Sequence, residues 1–487
     1  MDRRKFIMQL GAGLLGLSVS GCSKLFKKES PNFLFILADD LGWKDLGCYN
    51  SEFYETPNLN RLASQGMKFT DAYAAAPVCS PTRASIMTGK YPARINTTDW
   101  FGAPQPDNVQ NHWTRNKPLL PAPYKEYMEQ DEITLAEAMQ KADYETFFAG
   151  KWHLGADDKY WPKKQGFDIN KGGWSRGMPS PPGYYFSPYG NPRLKGGPKG
   201  EHLPNRLADE TVKFIKNNSN ANFMAYLSFY SVHIPLMTRE ELKKKYENKK
   251  EQIKPEREIW GKEGERKVRQ VQNHPVYAGM VEAMDHAVGK VLDTIEELEL
   301  DKNTVIFFMS DNGGLSTSEG HPTSNLPLRG GKGWIYEGGI REPMIVKWPG
   351  QTQPGSKCSE PVISTDFYPT ILDIAGLPPR PEQHLDGKSF TPLLKGENMK
   401  RGPIFWHYPH YGNQGGLPAA AAREGKYKLI EFFEDNYREL YNLHADIGEK
   451  HNLIEELPQK AEELTQKLHQ WRKEVDAQMP SPNPASQ

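Results

Sequence analysis

Phe33-Leu34-Phe35-Ile36-Leu37-Ala38 is a short, unbroken apolar run that ends on two acids, Asp39 and Asp40. A run that is apolar at every position predicts a strand covered on both faces, as in the middle of a parallel sheet. Three more runs repeat the pattern. Thr146-Phe147-Phe148-Ala149 leads to Lys151 and His153, Phe223-Met224-Ala225-Tyr226-Leu227 leads to His233, and Val305-Ile306-Phe307-Phe308-Met309 leads to Asp311 and Asn312. Amphipathic stretches lie between them. The alternation predicts an α/β fold, with a large mixed, mostly parallel sheet sandwiched by helices. Ligands of open α/β sheets bind outside the carboxyl ends of the strands, so four polar strand ends predict one shared site.

Outward from these runs, residues 32–377 read as one catalytic domain. It closes at Leu377-Pro378-Pro379-Arg380-Pro381, where the prolines stop any regular element. Residues 378–478 read as a smaller C-terminal subdomain, an antiparallel sheet plus a helix. Ile404–Tyr408 and Tyr427–Phe433 are its strands, and Ala461, Leu464, Leu468, Trp471 and Val475 mark one apolar helix face. Residues 479–487, rich in proline, are expected to be a disordered tail. Residues 171–205 lack either periodicity and read as a long binding loop. Arg239 to Arg269 carries few large apolar residues and reads as a solvated helix or excursion.

Residues 1–21 have a basic start and an apolar run too short to span a bilayer, a secretory signal. Val19-Ser20-Gly21-Cys22 resembles a bacterial lipobox, which predicts an exported lipoprotein, periplasmic or on the outer membrane or cell surface, anchored through Cys22. Residues 22–31 would be its tether. A plain cleaved signal is the alternative. Arg3-Arg4 before Phe6 resembles a twin-arginine signal, from which Asp2 departs, so Sec and twin-arginine export both stay open.

The composition sets exclusions. The 487 residues carry 61 Lys+Arg and 61 Asp+Glu, so the chain is neutral and lacks the basic face that nucleic acid requires. Membrane association is expected only through the lipid anchor. Hydrophobic residues at 37% supply a large core, which excludes a disordered chain. Four cysteines exclude a disulfide-built scaffold; beside Cys22 and Cys79, Cys48 and Cys358 remain, and spacing does not decide whether they pair.

Asp39, Asp40, Asp311 and Asn312 all offer oxygen, which suits a hard cation, Ca²⁺ or else Mg²⁺, rather than zinc. Pro77 to Gly89 holds Cys79-Ser80-Pro81-Thr82-Arg83. Pro81 fits the first turn of a helix, which puts Cys79 just ahead of a helix N-terminus that favours anions. Arg83, four residues on, shares its face. Lys332 lies in a glycine-rich loop that is not a nucleotide P-loop, since Pro327 and Gly333 replace its first Gly and its Ser/Thr.

Cys79-x-Pro81-x-Arg83 resembles the signature of the type I sulfatases of the alkaline phosphatase superfamily, whose cysteine is oxidised to formylglycine. Asn32 to Asp45, Gly150-Lys151-Trp152-His153-Leu154-Gly155, Ser310-Asp311-Asn312-Gly313-Gly314 and Leu328-Arg329-Gly330-Gly331-Lys332-Gly333 match further motifs in the family's order. The resemblance implies a sulfuric ester hydrolase that needs a formylglycine-generating or anaerobic sulfatase-maturating enzyme as partner. Asp39, Asp40, Asp311, Asn312 and the formylglycine at position 79 would hold the metal. Position 79, as a hydrated aldehyde, would attack sulfur. Lys151 and Lys332 would hold sulfate oxygens, His233 would protonate the leaving alcohol, His153 would take a proton from the hydrate, and Arg83 would hold the site in place.

With the export signal, the family implies a sulfated oligo- or polysaccharide substrate. The expectation is exo-acting removal of sulfate from a galactose unit of an algal, carrageenan-type galactan, with glycosaminoglycan (GalNAc or GlcNAc sulfate) as the near alternative. A phosphonate or phosphodiester hydrolase of the same superfamily and a catalytically silent glycan-binding lipoprotein are the other readings. Sugar contacts are expected from irregular segments: Asp99, Trp100, His112, Trp113 and Arg115, then Trp174, Arg176, His202 and His321.

Overall fold

The computed structural model describes residues 30–486; the expected signal and the Cys22 anchor lie outside the described residues. Among the described residues a nine-stranded sheet forms the centre. Across it run Ser356–Cys358, Met67–Tyr73, Arg341–Lys347, Thr304–Ser310, Asn32–Ala38, Phe223–Ser228, Glu145–Gly150 and Ile169–Lys171, and Val362–Ile363 adds to Met67–Tyr73. All pairings are parallel except those of Arg341–Lys347, which runs antiparallel to both neighbours. The four apolar runs are therefore the four adjacent inner strands.

Their continuous apolar character follows from burial on both faces. Leu34 and Ile36 join one core, against the helices Leu203–Asn217 and Pro275–Glu297. Phe33, Phe35 and Leu37 join the opposite core, where Phe35 lies between Tyr226 and Phe307 with ring centroids 4.8 and 5.9 Å away. Burying such side chains contributes about 1.5–3 kcal/mol each.

Register then places the site. Ala38 pairs with Ser310, Leu37 with Ser228, and Gly150 with Ser228. The four strands end at one level, so the residues that follow stand in a row. The ladder runs slightly beyond them: the Lys151 amide donates to the Ser228 carbonyl (2.9 Å) and the Asp311 amide to that of Ala38 (3.1 Å).

The four-stranded antiparallel sheet is Ile404–Tyr408, Ala419–Glu424, Tyr427–Phe432 and Tyr437–Asn442, covered by the helix Pro458–Glu474. It shares a core with Tyr73, Val78 and Ile340 of the main body. Buried Lys428 fastens it there, 2.9 Å from Glu337 and 2.8 Å from Glu449. The stretch expected as a solvated helix or excursion forms the helix Glu240–Gln252 and a hairpin of Trp260–Glu263 with Arg266–Arg269.

The disordered tail is corrected. Ser481–Pro482 pairs with Leu119–Leu120, and buried Asn483 donates from Nδ2 to the carbonyls of Arg115 (2.9 Å) and Lys117 (2.8 Å). A polar side chain that satisfies backbone carbonyls gives order where composition suggests none. Cys48, Cys79 and Cys358 are free thiols. Among the described residues no helix is long and apolar enough to cross a membrane.

Candidate active site

Cys79 is the first residue of the helix Cys79–Thr88, one position later in the helix than its sequence suggests, and all ten residues of that helix are buried. The Cys79 Sγ lies 3.4 Å from Nδ1 of His153, which also lies 3.1 Å from the Ser80 hydroxyl. One turn on, the Arg83 guanidinium reaches across the strand ends. Its Nε donates to Asp311 Oδ2 (2.8 Å) and Nη2 is 2.7 Å from the same oxygen, while Nη1 donates to the Lys151 carbonyl (2.8 Å) and the Ser228 hydroxyl (2.7 Å).

The strand-end acids meet the lysines. Lys151 Nζ donates to both oxygens of Asp39 at 2.8 Å. Lys332 Nζ donates to Asp40 Oδ2 at 2.8 Å, and Asn312 Nδ2 to Asp40 Oδ1 at 2.8 Å. His233 Nε2 lies 3.6 Å from Asp40, and Asp39, Asp40 and His233 each offer one ligand atom within 4.8 Å of the others. The glycine loop of Lys332 is tied to the Cys79 segment by the Gly333 amide, which donates to the Pro77 carbonyl (2.8 Å).

The local backbone is under constraint. Asp40 (φ 62°) and His153 (φ 58°) both occupy the left-handed region that non-glycine residues avoid. Gly150 (φ 107°) admits no side chain at all, because a Cβ would sit 1.7 Å from the Ser228 carbonyl oxygen.

Burial sets the electrostatics, and neighbours decide its outcome. Burial pushes Asp39 well up, against the pull of Lys151. Burial pushes Asp40 the same way, but Lys332, His233 and Lys151 outweigh it and hold this carboxyl below the usual range. Burial and then Lys332 press His233 down to about 3, while Asp40 opposes them. Burial, Lys151 and Arg83 press His153 well below its usual value. Burial raises the Cys79 thiol, with the two lysines opposing. Such a thiol is neutral and a weak nucleophile.

A hard divalent cation fits these residues. The Asn312 Oδ1 is buried and has no hydrogen-bond partner, on a side chain whose Nδ2 already meets Asp40. The other donors are carboxylate oxygens, the set such cations select.

The cavity above Cys79 measures about 360 Å³, within the range of small-molecule sites. His153, His233 and Lys332 line it, together with Trp100 and Arg176 of the expected sugar contacts. The other expected contacts lie elsewhere. Asp99 is buried behind Trp100, where it accepts from the Trp100 amide (2.8 Å) and the Tyr408 hydroxyl (3.2 Å). His202 is buried against Phe186, with ring centroids 4.9 Å apart. Trp174 is absent from the lining of the cavity and presents its carbonyl to the His153 amide (3.2 Å). His321 meets the edge of Trp260, and His112 that of Trp113. Arg115 holds Asn483 through its carbonyl.

Sequence reasoning missed Phe101, Met178, Glu319, Asn413 and Gln414, which also line the cavity. Glu319 accepts from the side-chain amides of Asn413 (3.1 Å) and Gln414 (3.0 Å). A usable signal existed for the last two: a glycine-flanked loop, residues 411–416, is separated by two residues from the strand Ile404–Tyr408 of the small sheet.

The parallel strand ends, the helix that starts at Cys79 and the oxygen cluster beside it agree with the resemblance to the alkaline phosphatase superfamily that the motifs carry. Comparison with known proteins narrows the class. The chain belongs to the sulfatase family, of the formylglycine-dependent type: the sulfatase family model matches residues 31–377, and one for the C-terminal region of N-sulphoglucosamine sulphohydrolase matches residues 331–478. The protein is a sulfatase. A sulfatase of Formosa agariphila is 32% identical over 96% of this chain and 94% of its own. The canine N-acetylgalactosamine-6-sulfatase is 30% identical over 81% of this chain and 72% of its own. The solved structure of Ps i-CgsB with a k-i-k-neocarrahexaose superposes with a TM-score of 0.73 at 30% identity, over 91% of this chain and 93% of that one.

Proposed function

We propose that the chain removes sulfate from a sulfated carbohydrate, acting from the chain end on a galactose unit of a carrageenan-type galactan, at a Cys79 converted to formylglycine. One observation carries this reading: Cys79, His153, Lys151, Lys332 and His233 converge with the Asp39, Asp40, Asp311 and Asn312 oxygens at one level of the sheet. The similarity to a structure holding a carrageenan hexasaccharide supports the galactan, and the N-acetylgalactosamine-6-sulfatases keep glycosaminoglycan as the second candidate.

When present, a cation held by Asp39, Asp40, Asp311 and Asn312 draws charge from the sulfuryl oxygens, and the aldehyde hydrate at position 79 supplies the nucleophilic oxygen. The remaining roles fall to side chains already in place. Lys151 and Lys332 hold the sulfate oxygens as point charges. His233 keeps Nδ1 on the Ile234 carbonyl (2.9 Å), which assigns that nitrogen the proton and turns Nε2 to the cavity. Burial and then the lysines press His233 down; the negative charge of the sulfate ester would offset the lysines, and a proton taken from solvent at Nε2 would pass to the leaving alcohol. His153 accepts a proton from position 79, beside its Nδ1. Arg83 positions Asp311 and the Lys151 backbone.

We further propose export and anchoring through Cys22, with maturation by a formylglycine-generating or anaerobic sulfatase-maturating enzyme. The test pairs mass spectrometry of the tryptic peptide ending at Arg83 with turnover of defined sulfated galactose and N-acetylgalactosamine saccharides. Formylglycine at position 79 and sulfate release are expected. Full turnover by Cys79→Ala refutes the mechanism, and faster cleavage of a phosphodiester refutes the assignment to sulfate esters.

A further inference from the structure

A second cavity, of about 550 Å³, shares a wall with the catalytic one. Residues 411–417 form that wall: Asn413 and Gln414 face the catalytic side, while Tyr411, Gly415 and Leu417 face the other. On the opposing segment Lys332 and Trp334 divide in the same way, and two residues span at most about 7 Å. The wall is thin because it is backbone against backbone. A Cβ at Gly416 would lie 1.8 Å from the Gly333 carbonyl oxygen, and the Trp334 indole donates to the Gln414 carbonyl (3.1 Å).

The second cavity is aromatic. Trp334 stacks on Tyr336 (6.2 Å between centroids) and Phe432 on Tyr437 (5.9 Å). Trp113 is 41% and Tyr437 50% exposed, unusually open for large rings that line a cavity. It is also acidic. The carboxylates of Glu263, Glu265, Glu434, Asp435 and Glu439 outnumber the cations Lys117, Arg266 and Arg329. Arg329 and Glu263 pair with each other at 2.9 Å, which leaves four carboxylates against Lys117 and Arg266. The catalytic cavity has the opposite balance, with Arg176 and Lys332 against Glu319.

We infer that the second cavity binds an unsulfated sugar unit of the glycan whose sulfated end occupies the catalytic cavity. Aromatic faces supply contact area for the ring. Carboxylates accept hydrogen bonds from hydroxyls and repel a sulfate ester. The paired cavities thus read a sulfation pattern, sulfate at the end and none on the adjoining unit. Rejection of a sulfated neighbour supplies the discrimination as much as attraction of a neutral one. This inference rests on the proposed carbohydrate sulfatase activity.

The test uses the full chain, as wild type and as Trp113→Ala/Tyr437→Ala, with three probes. These are an aryl sulfate, an end-sulfated galactan tetrasaccharide with a neutral neighbouring unit, and the same tetrasaccharide sulfated on that unit. The double variant is expected to raise KM for the neutral-neighbour probe about tenfold at unchanged kcat, from two lost stacking contacts, and to leave aryl sulfate turnover unchanged. Asp435→Lys is expected to shift preference towards the doubly sulfated probe. Wild-type preference for the sulfated neighbour, or an equal loss on the aryl sulfate, overturns the inference. Calorimetry on Cys79→Ala with an unsulfated galactan tetrasaccharide separates this from failure of the sulfatase reading. Binding that Trp113→Ala/Tyr437→Ala abolishes supports the cavity whatever the enzyme turns over, and binding that persists unchanged overturns it.

Discussion

Arg83 is the side chain whose removal the structure prices most clearly. It is 3% exposed and pairs with a fully buried carboxylate, Asp311, through Nε at 2.8 Å and Nη2 at 2.7 Å. Deleting one partner of such a pair leaves an uncompensated buried charge, at about 3–5 kcal/mol. The other two bonds add less. Ser228 still donates to the Lys151 carbonyl at 2.7 Å after Arg83 is gone, so that acceptor is not orphaned. Arg83→Met should therefore lose about 3–5 kcal/mol in urea unfolding followed by tryptophan fluorescence. Pairing it with Asp311→Asn removes the orphaned charge. The double variant should recover much of the loss, with a coupling energy of about 2 kcal/mol or more. Arg83→Lys keeps the charge but lacks the planar fork that serves three partners at once, and should fall between. Strict additivity of the single variants, or an Arg83→Met chain within about 0.5 kcal/mol of wild type, would refute the claim that this guanidinium holds the strand ends together.

Three further outcomes follow from single contacts. Gly150→Ala should fail to fold or lose most of its soluble yield, since its Cβ would meet the Ser228 oxygen at 1.7 Å; an unshifted melting temperature would contradict the reading. Burial raises Asp99 to about 8, despite hydrogen bonds from Trp100 and Tyr408, whereas an unfolded aspartate titrates near 3.9. The folded chain keeps this proton while the unfolded chain releases it, so its contribution is full below about pH 4 and is lost as pH rises towards 8. Asp99→Asn should thus gain stability over wild type across that window and hold the gain above it; a gain confined to acid pH would be the wrong sign. Truncation after Met479 removes the Asn483 bonds to the Arg115 and Lys117 carbonyls, and should speed tryptic cleavage after Arg115 without slowing sulfate release, Lys117 being shielded by Pro118. Unchanged cleavage would show that the tail does not hold this loop.

What was legible in the sequence follows the physics of burial. The four inner strands announce themselves because both faces are covered, so every position is apolar and the polar ends stand out. Met67–Tyr73 and Arg341–Lys347 do not. The first alternates Met, Lys, Phe, Thr, and the second carries Pro343 at a register shift between Glu342 and Met344, where the ladder tolerates it. The site divides in the same way. Residues that leave a strand end inherit its register, so Asp39, Lys151 and Asp311 could be placed together. Glu319, Asn413 and Gln414 reach the cavity from loops fixed only by tertiary packing. His202 and Asp99 fail for a related reason: a polar side chain in an irregular segment reads as a ligand until its burial is known.

Net neutrality, which argues against nucleic acid, also hides a concentrated arrangement of charge at the strand ends. Charges of both signs are gathered at the strand ends within hydrogen-bonding distance, Lys151 on Asp39 and Lys332 on Asp40. Two lysines that already satisfy two buried acids offer an entering anion little unless those acids find another counter-charge. The buried oxygen of Asn312, which has no hydrogen-bond partner, is one that such a counter-charge would satisfy. A divalent cation there would release both lysines to the sulfate at no cost in buried charge. Loading would then strengthen the cationic balance of the catalytic cavity, beside a second cavity whose acids outnumber its bases. Chelation should therefore abolish inorganic sulfate binding to the Cys79→Ala chain, measured by calorimetry, and added Ca²⁺ should restore it. Sulfate that binds equally well in chelator would show that the lysines need no such release.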